Sequence, residues 1–141
     1  MKDIFVLDAC ALIALLKNED GADSVATAYM KAKNGEAQII MNMDNLLEVY
    51  YGFYRDDGKE YAERIVDSVE QSIVSICEFD KDIFLEAGRL KASYRISLAD
   101  SIALAQTIVS GGELLTSDHH EYDVIEGQEN IKFLWIRQST P

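Results

Sequence analysis

Four carboxylates of this chain sit where packing alone asks for none. Asp8 follows FVL and precedes ACALIALL. Glu48 lies inside NLLEVYYG, between Leu47 and Val49. Asp100 falls in the first turn of SLADSIALA, and Asp118 follows ELLTS. An ionised carboxylate among apolar residues is costly unless it is paired, hydrogen-bonded or metal-bound. Four that met in one place would repel one another and need a counter-charge. Hard divalent ions such as Mg2+ suit carboxylate and water ligands, and Mg2+ keeps several waters, so a few acids suffice. Two such ions held about 3.5–4 Å apart can activate water and stabilise both oxygens of a displacement at phosphorus. The chemistry that fits is phosphodiester hydrolysis.

Each acid also has a plainer role open to it. Asp8 can cap the helix that follows. Glu48 can be a surface helix residue. Asp100 can complete a cap with Ser97, in a box whose usual third-turn partner is Glu or Gln. Asp118 can start a polar turn. The stretch LTSDHHEYD also holds the chain's two histidines, His119 and His120. Adjacent side chains diverge, and a zinc site wants about four ligands. Solvent-facing or packed histidines are therefore the expectation.

The elements that must position these acids are short. Strands are expected at Asp3–Leu7, Ala37–Asn42, Ser72–Cys77, within ELLTS and at Ile131–Ile136. Helices are expected at Ala9–Lys17, Ala22–Lys33, Asp44–Tyr54, Tyr61–Val69, Asp80–Arg95 and from Ser97 to about Val109. NEDG, RDDG and SGG read as turns. Short apolar strands alternating with amphipathic helices predict an α/β fold with a mostly parallel sheet covered on both faces. Such sheets bind ligands beyond the carboxyl ends of their strands, near a topological switch. Asp8 and Asp118 fall at strand ends, Asp100 opens a helix, and Glu48 can project inward from its own helix.

The 141 residues suit one domain, 1–141, with no linker or repeat. A net charge of −12 opposes broad, non-specific nucleic-acid binding, yet clustered acids that hold cations leave a nuclease open. The start reads as neither signal peptide nor membrane span. Cys10 and Cys77 read as buried thiols of a reducing compartment, which points to the cytoplasm. The basic candidates near a crevice are Lys17, Arg55, Lys91 and Arg95, with RLKASYR the most basic stretch. Tyr50, Tyr51 and Tyr54 have helical spacing and read first as packing.

Taken in order, FVLDACALIALL, NLLEV, LADSIALA and LLTSDHHEYD resemble the PIN-domain family, and within it the VapC-type toxins of toxin–antitoxin pairs. The resemblance spans nearly the whole chain. It implies a three-layer α/β/α sandwich with a central sheet of four to five strands, and an endoribonuclease dependent on Mg2+ or Mn2+. It assigns Asp8, Glu48, Asp100 and Asp118 as the catalytic acids, with Asp8, Asp100 and Asp118 as metal ligands. Thr116 matches the hydroxyl residue that supports the first Asp, and Asp123 is the nearest match to a further acid. It also implies an RNA substrate, an antitoxin partner and a homodimer. The competing classes are a metal-dependent phosphatase and a non-catalytic PIN-fold binding module. Against the phosphatase, Asp8 is followed by Ala-Cys-Ala, with no second acid two residues on.

Overall fold

A computed structural model describes residues 2–138. The sheet has five strands: β1 (Asp3–Leu7), β2 (Ala37–Asn42), β3 (Val74–Cys77), β4 (Glu113–Thr116) and β5 (Lys132–Trp135). The helices are α1 (Ala9–Leu16), α2 (Ala22–Lys33), α3 (Met43–Asp57), α4 (Lys59–Glu70), α5 (Lys81–Ser93), α6 (Leu98–Ser110) and the one-turn α7 (His119–Tyr122). Strand order is β3-β2-β1-β4-β5, and every pairing is parallel. The chain builds outward from β1 through β2 to β3, then returns to lay β4 on the other side of β1. That reversal is the topological switch, and it puts Leu7 beside Leu115 at the carboxyl ends of β1 and β4.

The sheet is covered on both faces because its strands alternate two apolar sets. Phe5, Leu7, Ile39, Met41 and Leu115 pack with residues of α1 to α4. Val6, Ile40 and Leu114 pack with α5, α6, Tyr122 and Ile125. Each fully buried Leu or Ile contributes roughly 1.5–3 kcal/mol. These are the three α/β/α layers expected from the sequence.

Several boundaries differ from expectation by a few residues. The RDDG turn is instead the end of α3, which runs through Asp57. Gly58 alone makes the corner, at φ +92°, a conformation glycine adopts without steric cost. β3 starts at Val74 because the Ser72 hydroxyl donates to Val69 O and accepts from Val74 N–H, forming a turn. α5 stops at Ser93, and Tyr94 is extended. Asp80 caps α5, as expected, accepting from Ile83 N–H at 3.0 Å.

Gly21, in NEDG, has φ +99° and lies against β5's end; a Cβ there would sit 2.7 Å from Ile136 O. The start of α2 is thereby held near the strand that follows the Asp118 loop. Among the described residues no helix is long and apolar enough to cross a membrane.

Candidate active site

Asp8 is the first residue beyond β1 and is 2% exposed. One carboxylate oxygen, Oδ1, caps α1 by accepting from Ala11 N–H at 2.9 Å. The other, Oδ2, accepts from the Thr116 hydroxyl at 2.5 Å. The capping role open to Asp8 is therefore real, but it occupies only one of the two oxygens. Burial pushes the Asp8 carboxyl up to about 7; the bonds from Thr116 and Ala11 oppose this, and the charges of Asp118 and Glu48 add to it.

Asp118 follows β4 by one residue. Its backbone N–H donates to Thr116 Oγ1 at 3.0 Å. Its Oδ1 caps α7, accepting from Glu121 N–H at 3.2 Å. Thr116, fully buried, thus ties Asp8 to the backbone of Asp118 across the switch.

Asp100 lies in the first turn of α6. Its backbone N–H is capped by Ser97 Oγ at 3.1 Å, as the Ser97-x-x-Asp100 spacing predicts. Its carboxylate does not reach back to close a capping box. Instead Oδ1 accepts from the Tyr122 hydroxyl at 2.9 Å. Burial raises the Asp100 carboxyl to about 8; the Tyr122 bond lowers it, and Asp118, Asp8 and Glu121 raise it through their charges.

Glu48 is half-buried on α3. Burial raises its carboxyl, and so do the charges of Asp44 and Asp118. Asp8 and Asp118 thus follow the ends of β1 and β4, Asp100 opens α6 and Glu48 lies on α3, and each of the four feels the charge of at least one other. Among the described residues no three His, Cys, Asp or Glu side chains close into a ready-made metal shell. The donors suit a hard ion that keeps most of its water, because such an ion is usually bound through one or two carboxylates. Soft or imidazole-seeking ions are poorly served. Burial holds the nearby Cys10 thiol far above its usual range, with Asp8, Asp118 and Asp100 adding repulsion.

His119 has a structural task. Its ring stacks on Trp135 at 3.9 Å, its Nδ1 lies 2.8 Å from Asp123 Oδ1, and its Nε2 lies 2.8 Å from Arg137 O. Burial disfavours the charged ring, but the Arg137 carbonyl and the Asp123 carboxylate outweigh it and raise the pKa. Asp123 is thus engaged with His119. Glu121, which the sequence did not single out, joins Asp118 as a loop acid whose charge reaches Asp100. His120 is exposed.

Several buried polar side chains that brace these elements were not foreseen. Asn42 caps α3 through Oδ1, and its Nδ2 donates to Gln106 Oε1 and Glu78 O. Asn45 Nδ2 donates to Ala99 O at 3.0 Å, linking the helix of Glu48 to the residue before Asp100. The polar letters inside the apolar runs MNMDNLL and IALAQTIV were the available signal.

The basic candidates separate clearly. Within RLKASYR, Arg89 is held by Glu86 and Glu129, and Lys91 donates to Ile96 O. Arg55 pairs with Asp56, and Lys17 lies over the Phe53 ring. Arg95 is exposed and, among the described residues, forms no ion pair. Tyr50 packs on the core and meets Tyr54 edge-on at 5.7 Å, while Tyr51 is exposed.

No curated protein sequence shows significant similarity to the chain. Solved structures share its fold. DNA-bound VapBC from Salmonella typhimurium matches with TM-score 0.76 at 16% identity, over 97% of this chain and 100% of that one. VapBC2 from Rickettsia felis, bound to a fragment of promoter DNA, matches with TM-score 0.74 at 20% identity, over 93% and 97%. VapC20 from Mycobacterium tuberculosis, a Sarcin–Ricin loop cleaving toxin, matches with TM-score 0.56 at 17% identity, over 79% and 87%. At such identities the likeness is one of fold. The family profile described as PIN domain matches residues 5–126, from β1 through the Asp118 loop, and the chain belongs to that family.

Proposed function

We propose that this chain is the toxin of a VapC-type toxin–antitoxin pair, a divalent-cation-dependent endoribonuclease acting as one domain, 1–141, in the cytoplasm. The observation that carries the reading is the gathering of Asp8, Glu48, Asp100 and Asp118 at the topological switch of a PIN-family sheet. Family membership supports nuclease chemistry, and the VapC20 likeness favours RNA as substrate.

Asp8, Asp100 and Asp118 would hold Mg2+ or Mn2+. Such an ion lowers the pKa of bound water and neutralises charge on phosphoryl oxygens. Thr116 keeps Asp8 oriented. Glu48, half-buried and with its carboxyl raised, is suited to take a proton from the attacking water. Arg95, exposed on the segment leading into α6, is the basic candidate for a neighbouring phosphate.

The partners of this reading are RNA, a second copy of the chain and a cognate antitoxin. A cavity of about 310 Å3 between α3 and α4 suits an antitoxin segment. Met43, Leu46, Leu47, Tyr50 and Val66 line it, and Glu63, Asp67 and Glu70 rim it. An amphipathic helix with apolar anchors and basic flanks matches that surface.

The test is cleavage of a mixed RNA pool by the purified chain with Mg2+, Mn2+ or EDTA, beside Asp8→Asn and Asp100→Asn. Cleavage that needs metal and disappears in both variants supports the reading. Absence of both cleavage and calorimetric metal binding would refute it in favour of a binding module. Hydrolysis of small phosphomonoesters without RNA cleavage would favour a phosphatase.

A further inference from the structure

Tyr122 is fully buried, yet its hydroxyl faces the acidic site. A phenol brings one proton to donate. Tyr122 spends it on Asp100 Oδ1, at 2.9 Å, the one side-chain donor to that carboxylate among the described residues. The bond therefore occupies Oδ1 and leaves Oδ2 without a side-chain donor among the described residues.

The ring that carries the hydroxyl is itself pinned. Tyr122 packs against Phe133 at 5.7 Å, Phe133 stacks on Trp135 at 5.1 Å, and Trp135 stacks on His119 at 3.9 Å. Trp135 Nε1–H donates to Glu126 Oε2 at 2.9 Å. This aromatic run joins β5 to both ends of α7. One end of α7 follows Asp118 directly, and the other carries Tyr122. A helix of a single turn has little stability of its own. Its geometry here is imposed by the stack, which thereby holds Asp118 and Asp100 in one arrangement.

We propose that Tyr122 is a positioning residue for the cation site: pinned by the β5 aromatic run, it orients Asp100 through Oδ1 and leaves Oδ2 as the donor to the metal. The proposal rests on the metal-site reading given above. Partners that orient a metal-binding side chain typically change affinity by about 10- to 100-fold when removed.

The test is Mn2+ affinity of the full chain, by calorimetry and by the electron paramagnetic resonance signal of free Mn2+. Tyr122→Phe keeps the ring and its packing and removes only the hydroxyl. Tyr94→Phe is the matched control, since Tyr94 makes an equivalent hydrogen bond to the remote Glu129. The expected result is about 10-fold weaker Mn2+ binding in Tyr122→Phe, no change in Tyr94→Phe, and native circular dichroism in both. At saturating Mn2+, RNA cleavage by Tyr122→Phe should lose kcat with KM unchanged. Weakened binding in Asp100→Asn but native affinity in Tyr122→Phe would overturn the proposal. Native affinity in Asp100→Asn as well would overturn the metal-site reading, and the role of Tyr122 with it.

Discussion

Thr116 and Asp8 are 108 residues apart in the chain and share one buried hydrogen bond, from Thr116 Oγ1 to Asp8 Oδ2. The same hydroxyl accepts from Asp118 N–H, so a single side chain fastens the two strand ends that flank the switch. Replacing it with Val keeps the shape and leaves a buried carboxylate oxygen without its donor. Such a loss costs about 1–3 kcal/mol, more when the group is charged. Thr116→Val should lower urea-unfolding stability by that amount at pH 8 and weaken RNA cleavage at least 10-fold. Thr116→Ser, which restores the hydroxyl, should recover most of both. Equal behaviour of Val and Ser would mean that the hydroxyl does nothing.

The raised carboxyls make stability depend on pH in a definite direction. Asp8 and Asp100 titrate near 7 and 8 in the folded chain, against an ordinary value of 3.8. Between pH 4 and 8 the folded state therefore holds more protons than the unfolded state, and stability falls as pH rises. In EDTA the melting temperature should drop from pH 5 to pH 8. Mn2+ should restore much of the loss at pH 8 and little at pH 5, where protons compete for the same oxygens. A flat profile in EDTA would rule out these shifts.

Glu48 differs from the aspartates in its expected role, and kinetics can separate the two. Glu48→Gln should reduce kcat for RNA cleavage by about 100-fold or more, the scale of a lost general base. Its Mn2+ affinity should fall less than that of Asp8→Asn or Asp100→Asn. Equal loss of affinity in all three would make Glu48 a ligand of the same rank.

His119 should matter to the fold, and to the ion only through the stack that holds α7. Removing its ring takes away the stack on Trp135 and two hydrogen bonds, together worth roughly 1.5–4 kcal/mol. His119→Ala should therefore unfold at lower urea and, by loosening the stack that holds α7, weaken Mn2+ binding by less than Asp100→Asn does. A large loss of affinity without a loss of stability would reassign His119 to the metal.

The α3–α4 groove offers a test of partner binding separate from catalysis. Leu47 lines it and is 54% exposed, so Leu47→Glu should fold normally. RNA cleavage by this variant should persist, while co-expressed antitoxin should no longer suppress it. Retained suppression would place the antitoxin elsewhere.

Much of this molecule is written locally. The apolar runs at Asp3–Leu7 and Ala37–Asn42, the caps at Asp8, Asp80 and Ser97, and the order of the four acid-bearing segments depend on residues within a few positions of one another. The sequence could therefore determine the elements, the layered α/β class, the three aspartates at element ends and Glu48 within its helix. It could not determine that β4 returns to lie beside β1, because strand order depends on pairings between distant segments that periodicity does not encode. The family resemblance already implied that Thr116 supports Asp8; only the tertiary structure decided that Tyr122 closes on Asp100. It also decided that His119 stacks on Trp135, and that Glu121 rather than Asp123 joins Asp118 as a loop acid whose charge reaches Asp100. Each of these rests on a contact between residues from different elements, or on which way a one-turn helix faces, and short-range sequence signals specify neither.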